Sequence, residues 1–180
     1  MTDKQTDLCI CMTAAGSREH LARLYENYSK PIFLFALSLV KNKTAAEDVM
    51  QDVFLQIMLS AKNYQTGTKP KAWIYSIARN ICCDCLKKAP KNTLQLDAAE
   101  FIGVEENGYR RAENAILAFE ALRVLEETER LIVSMYIYSG LKKPEIAEAL
   151  SMPYSKVRAK YDYAIKKLRR YFAEQDEDIV

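Results

Sequence analysis

The stretch Lys71–Lys88 reads KAWIYSIARNICCDCLKK. Wound at about 100° per residue, it places Ile74, Ile77, Ala78, Ile81, Cys82 and Cys85 together on one face. Trp73, Ser76, Asn80, Asp84 and Lys87 fall on the other, with Arg79 and Cys83 beside them. The spacing therefore predicts a helix with one face in a core and a polar, partly basic face with an aromatic at its edge. Two of its three cysteines stand where small apolar residues belong, and a free thiol packs well there. A zinc ion needs four ligands, which a Cys-Cys-x-Cys run on one helix cannot supply unaided. Cys9 and Cys11 could complete a set, so a metal or thiol role is the alternative to the core reading, and the core reading is preferred. Cys83 is the member of the trio expected near solvent.

Working outward, the same periodicity recurs. Residues 18–42 carry Leu21, Leu24, Tyr25, Tyr28, Ile32, Phe35 and Leu39 at helical spacing, with Pro31 expected to kink or divide the helix. Thr44-Ala-Ala-Glu47 has the pattern of a capping box and opens TAAEDVMQDVFLQIMLSA, where Ala46, Val49, Val53, Ile57 and Ala61 form the core stripe. YQTGTKP is a loop, and Pro70 suits the first turn of the helix that follows. Residues 89–112 lose the periodicity and read as a linker. A second helical block follows, in which PEIAEALS and then SKVRAKYDYAIKKLRRYF have the order of a helix-turn-helix. The expected fold is all-α: two small helical domains, an N-terminal bundle and a C-terminal helix-turn-helix, joined by a flexible linker. The boundaries are an unassigned lead at 1–17, a first domain at 18–90, an acidic linker at 91–112, a second domain at 113–173 and an acidic tail at 174–180.

Composition narrows the function. Nearly half of the 180 residues are apolar (49%), enough for a packed core, and glycine and proline number five each, which disfavours a turn-rich β protein. No apolar run approaches the ~20 residues of a membrane span. The N-terminal residues lack the basic-then-apolar order of a signal peptide. A cytoplasmic protein that does not insert into a membrane is expected, and five cysteines in two clusters do not form an extracellular disulfide framework. The net charge of +2 conceals blocks. Residues 62–91 hold seven basic residues and one acid, 97–129 nine acids and three arginines, and 141–170 nine basic residues and three acids. Two cationic modules on an acidic spacer point to polyanion partners. A catalytic reading finds little: His20 is the lone histidine, no Cys or Asp motif completes a set around it, and no phosphate-cradling glycine loop exists.

AEDVMQDVFLQI, then KAWIYSIARN about twenty residues later, then a C-terminal helix-turn-helix ending AIKKLRRYF, together resemble the extracytoplasmic-function sigma factors of bacterial RNA polymerase, of the sigma-70 family. The resemblance covers roughly residues 21–88 and 113–172. It implies a non-enzymatic subunit, without cofactor or metal, that binds core polymerase, recognises −35 duplex and −10 bases, and promotes melting. Its partners would be the core enzyme and promoter DNA, duplex and melted, with an anti-sigma factor left open. By the same resemblance Glu47, Asp48, Gln51, Asp52, Phe54 and Leu55 match the surface that docks on the polymerase clamp. Tyr64, Lys69, Trp73, Arg79, Asn80, Asp84, Lys87 and Lys88 match the −10 reading and melting surface, with Tyr75 as a further edge candidate. The loop Tyr64–Lys69 matches the segment that pockets a flipped base. Ser155, Lys156, Arg158, Ala159, Lys160, Tyr163 and Lys167 match the −35 recognition helix, expected to start at Ser155 as N-cap and to keep Val157, Tyr161, Ala164 and Leu168 in the core. Ser151 stands in the turn where the family commonly has glycine, so a left-handed, strained residue is expected there. Asp162, Tyr163 and Lys142-Lys143-Pro144 also depart from the family's usual residues, and they bear on which −35 sequence is read. The alternative is a stand-alone helix-turn-helix regulator, which would leave the first basic helix and the acidic docking helix without a task.

Overall fold

A computed structural model of the protein describes residues 1–88 and 117–177; the expected linker at 91–112 lies outside the described residues. Every regular element among them is helical. Helix α1 spans Asp3–Ala14, α2 Arg18–Val40, α3 Lys43–Ser60 and α4 Pro70–Lys88, with a single 3-10 turn at Ala61–Asn63. In the second half a helical stretch at 117–123 precedes α5 (Glu127–Ser134), which widens into a π turn at Met135–Ser139. Helices α6 (Lys143–Ala149) and α7 (Tyr154–Glu177) complete it.

The lead that the sequence left unassigned folds. Thr2 and Gln5 form a reciprocal cap at the start of α1, and Thr6, Cys9, Ile10 and Thr13 are buried against the first bundle. Thr6 Oγ1 and Tyr28 OH share a buried hydrogen bond of 2.8 Å. An inner face of two threonines, a cysteine and one isoleucine has little apolar contrast, which is why periodicity passed over it. Helix α2 runs unbroken through Pro31, so the proline does not divide it. The apolar series Leu24, Tyr28, Ile32, Phe35, all buried, crosses the proline without changing phase, so packing on both sides of the missing N–H holds the helix together.

The start of α3 also differs from expectation. Asn42 rather than Thr44 caps it: Asn42 is extended and its Oδ1 accepts from the Ala45 N–H at 2.8 Å. Lys41, left-handed at φ 55°, closes α2 just before it, so one two-residue corner serves both helices. The predicted core stripe of α3, from Ala46 to Ala61, is buried throughout. In the second half, Ser155 lies inside the first turn of α7, which begins at Tyr154, so it is not the N-cap. Helix α7 also continues to Glu177, into the acidic tail. Ser151 does take the left-handed conformation, at φ 51°.

The two halves share a core. Phe119, Ile132, Met135, Leu141 and Ile146 pack in one continuous cluster with Ile32, Phe35, Leu39 and Ile74. Ser38 Oγ donates to Ser134 Oγ at 2.8 Å within this seam. Tyr75, expected at an exposed edge, is fully buried: its ring meets Phe35 edge-on at 5.3 Å, and its hydroxyl donates to the Tyr138 carbonyl at 2.8 Å. Burial pushes its phenol far above the usual tyrosine range. Within the second half, Arg130 is buried and donates to the carbonyls of Leu122 at 3.0 Å and Leu125 at 2.7 Å, closing the corner before α5. Arg130→Ala strands two buried carbonyls and is expected to cost about 2–3 kcal/mol, read as a lowered denaturation midpoint with an unchanged denaturant slope.

Candidate nucleic-acid interface

Three outward surfaces carry the residues singled out in the sequence. On α3, Glu47, Asp48, Gln51, Asp52 and Leu55 are all exposed on one face. Phe54 departs from that set: it is buried, and its ring lies 4.8 Å from the half-exposed Tyr25 ring of α2, so it supports the face from behind. Sequence reading missed two neighbours. Met58 and Leu59, 45% and 63% exposed, extend the apolar centre that Leu55 begins. Their signal was present, since they repeat Gln51 and Asp52 at a spacing of seven. The result is a face acidic along its N-terminal half and apolar along its C-terminal half, a pattern suited to steered docking on a partner with a basic edge beside an apolar patch.

The second surface joins the loop Tyr64–Lys69 to α4. Pro70 opens the helix, where its missing N–H costs nothing. Trp73 is half-buried and its ring sits 5.0 Å from that of Tyr64, tilted by 56°, so the two aromatics form one platform at the loop's base. Asn80, Asp84, Lys87 and Lys88 are exposed along the helix, and Arg79 is partly so. Asp84 pairs with Lys87 at 3.0 Å, and exposed pairs of this kind exchange readily for other anions. The loop residues 65–69 are exposed, with Gly67 left-handed at φ +75°. Lys69 Nζ lies 2.6 Å from Glu148 of α6, which raises the lysine above its usual pKa through that hydrogen bond. Cys82 is buried and its thiol pushed above the usual range; Cys83 and Cys85 are both partly exposed, where only Cys83 was expected to be. Among the described residues no group of three or more His, Cys, Asp or Glu side chains is placed to hold a metal ion.

The third surface is α7. Ser155, Lys156, Arg158, Ala159 and Tyr163 are exposed on its outer side, and Val157 and Ala164 are buried within, as their spacing predicts. Lys160 and Lys167 are not where the sequence placed them. They flank the buried stripe and reach α5: Lys160 Nζ is 2.9 Å from Glu126 and Lys167 Nζ 2.9 Å from the fully buried Glu129. Both belong to the arc beside Val157 and Ala164, and the sequence reading took that arc as too narrow. The outer face gains instead Lys166, Arg169 and Arg170, exposed and not anticipated, although Lys166 repeats Ala159 at a spacing of seven. Lys167 also lies over the Tyr163 ring at 4.7 Å, which holds that exposed aromatic against the helix.

Known proteins fit this geometry. The family model for sigma-70 region 2 matches residues 24–91, and that for sigma-70 region 4 matches residues 121–170. The first contains α3, the loop and α4; the second contains α5, α6 and most of α7. The chain belongs to the extracytoplasmic-function group of the sigma-70 family. It is 23% identical over 168 residues to the Bacillus subtilis ECF RNA polymerase sigma factor SigX, covering 87% of this chain and 86% of SigX. Its fold matches that of CnrH in complex with the cytosolic domain of CnrY at a TM-score of 0.73 and 18% identity, over 94% of this chain and 98% of the other. It also matches the sigma factor RpoE in complex with the anti-sigma factor NepR from Bartonella quintana, at 0.68 and 18%, over 84% and 96%. As a sigma factor the protein works with RNA polymerase and promoter DNA in transcription initiation. No helix among its described residues is long and apolar enough to cross a membrane.

The clamp between α5 and α7 gives a sign-defined pH test. Lys160 donates to Glu126 and holds its carboxyl below the usual carboxylate range, while the same bond raises Lys160. Glu126's contribution is present above the ordinary carboxylate pKa and fades as pH falls through the lowered one; that of Lys160 is present below the ordinary lysine pKa and fades as pH rises through the raised one. Lys160→Met should therefore destabilise the protein at neutral pH, and the difference from wild type should shrink below about pH 4, followed by denaturation at both pH values.

Proposed function

We propose that the sigma factor holds core polymerase through the outer face of α3, reads −10 bases with the loop Tyr64–Lys69 and α4, and reads −35 duplex with the outer face of α7. The observation that carries this is the segregation of three chemically distinct surfaces on one fold. The α3 face has Glu47, Asp48 and Asp52 leading into the exposed Leu55, Met58 and Leu59. The α4 surface pairs an aromatic platform with Asn80 and cations, the combination that holds unstacked bases by stacking while an amide reads an edge. The α7 face sets short side chains, Ser155 and Ala159, beside Lys156, Arg158 and Lys166, so the helix can lie close to base edges while cations hold phosphates. In this reading Lys160 and Lys167 orient the helix through Glu126 and Glu129. No covalent chemistry is assigned to the protein, and it acts in the cytoplasm with the polymerase.

The packed seam has a consequence for this division of labour. Elements named −10 and −35 lie about 25 base pairs apart, or about 85 Å along B-DNA. Helices that share one core, and are joined by Ser38–Ser134 and Tyr75–Tyr138 hydrogen bonds, are far closer. Reading both elements at once therefore requires the halves to part. A partner resembling the anti-sigma factor seen with Bartonella RpoE would favour the packed form, if it binds across the seam.

The decisive experiment is run-off transcription from the gene's own upstream region with purified core polymerase. Transcription that depends on this chain supports the reading; a chain that recognises a discrete operator but does not associate with core would make it a stand-alone regulator. With activity established, Asn80→Ala should reduce open-complex formation while leaving core affinity unchanged. Lys156→Ala should weaken duplex binding across sequences and lower the slope of log affinity against log salt by about 1.

A further inference from the structure

The loop that would capture a −10 base is six residues long and most of it projects into solvent. A Cβ at its tip, Gly67, would have nothing within 4 Å. Such a segment loses about 1–2 kcal/mol of backbone entropy per residue when a ligand orders it, so affinity depends on how far it is ordered beforehand. Inside the loop, order comes from Thr68 Oγ1, which donates to the Gln65 carbonyl at 2.7 Å. At its base, order comes from the Tyr64–Trp73 contact. At the tip it comes from α1, outside the region 2 match. The Gly67 N–H donates to both carboxylate oxygens of Asp7, at 3.2 and 3.3 Å, and the Tyr64 hydroxyl donates to Oδ1 at 2.5 Å. One turn earlier on the same helix, Asp3 lies 3.3 Å from Lys71 on α4. Helix α1 thus grips the loop at its start, at its tip and just beyond its end.

Resting on the −10 reading above, we propose that Asp7 is a positioning residue for base capture: its carboxylate holds the loop Tyr64–Lys69 open in the shape that receives an unstacked −10 base, and α1 is the platform it works from. A carboxylate suits the task because it accepts from the tip amide and the phenol together, and bonds to a charged acceptor are the stronger kind. Those donors also spread its negative charge where a phosphate backbone would approach. The same bond holds the Tyr64 ring in place beside Trp73, and burial together with that bond pushes its phenol up to about 12. Asp7 touches no DNA in this account and acts through Tyr64 and Gly67.

The test uses holoenzyme reconstituted with full-length variants and a fork-junction DNA from the gene's own upstream region, single-stranded over the −10 non-template bases. Asp7→Ala should lower fork-junction affinity about tenfold, the worth of one charge-assisted hydrogen bond. It should speed amide exchange at Gly67 while leaving affinity for core within twofold. Asp7→Asn keeps one acceptor and should fall between, as should Tyr64→Phe, which keeps the ring and loses the hydroxyl. Thr6→Val removes the Thr6–Tyr28 bond on the same helix without touching the loop and should retain fork-junction binding. Equal losses from Thr6→Val and Asp7→Ala would mean that α1 only stabilises the bundle, and the inference falls. It falls too if Lys69→Ala and Asn80→Ala weaken fork-junction binding while Asp7→Ala does not, an outcome that leaves the −10 reading standing. If none of the loop, α4 or Asp7 variants changes that binding, the reading and the inference fall together.

Discussion

Six consecutive residues of α2, Phe35 to Val40, are buried, and the rest of the architecture follows from that. A helix exposes a different direction every 100° or so, so an unbroken buried run has to be covered on every side. Helices α1, α3 and α4 cover part of this one, and the remainder is covered by α5 and its π turn. Ser38 lies in the middle of the run, and a buried hydroxyl must find a partner. Its hydroxyl lies 2.7 Å from the Phe35 carbonyl of its own helix and 2.8 Å from Ser134 Oγ in the other half of the protein. The seam between the two bundles thus closes over the side of α2 that its own bundle leaves uncovered.

That seam organises the functional surfaces. The outer faces of α3 and α7 are exposed to solvent, while the loop before α4 lies at its rim, where Glu148 of α6 reaches Lys69. Lys69, at the end of the loop, is thus paired with an acid of the second half. An exposed pair of this kind is weak on its own, so the apolar seam supplies most of the hold and the ion pair supplies its register. The packed arrangement of the two halves is therefore held chiefly by apolar contact.

Much of the fold was legible because its helices are amphipathic with few interruptions. The stripe from Ala46 to Ala61 and the two-faced helix at Pro70–Lys88 appear in the structure as their spacing implied. The errors have local causes. Asn42 competes with Thr44 for the start of α3 and wins because the Lys41 turn already presents it in an extended conformation. Lys160 and Lys167 sit at the border of the apolar arc, where periodicity cannot tell a solvent-facing cation from one that reaches inward, and the acids that decide it are more than thirty residues away. Phe54 and Tyr75 were read as surface residues by their place in a motif, yet aromatic rings at such borders go wherever a neighbouring ring can pack against them, here Tyr25 and Phe35.

By itself the sequence determined the family, the helical class, the order of the helices and which residue types line each of the three surfaces, because these depend on period, caps and motifs that are local along the chain. Only the tertiary structure decided that α1 packs on the loop Tyr64–Lys69, that the two bundles share one core and that two lysines of α7 turn inward. Each of those outcomes rests on contacts between residues far apart in sequence, Asp7 with Gly67, Ser38 with Ser134, Glu129 with Lys167. A buried hydroxyl, a carboxylate or an ammonium announces in the sequence that it needs a partner, but its partner is chosen by the geometry of packing.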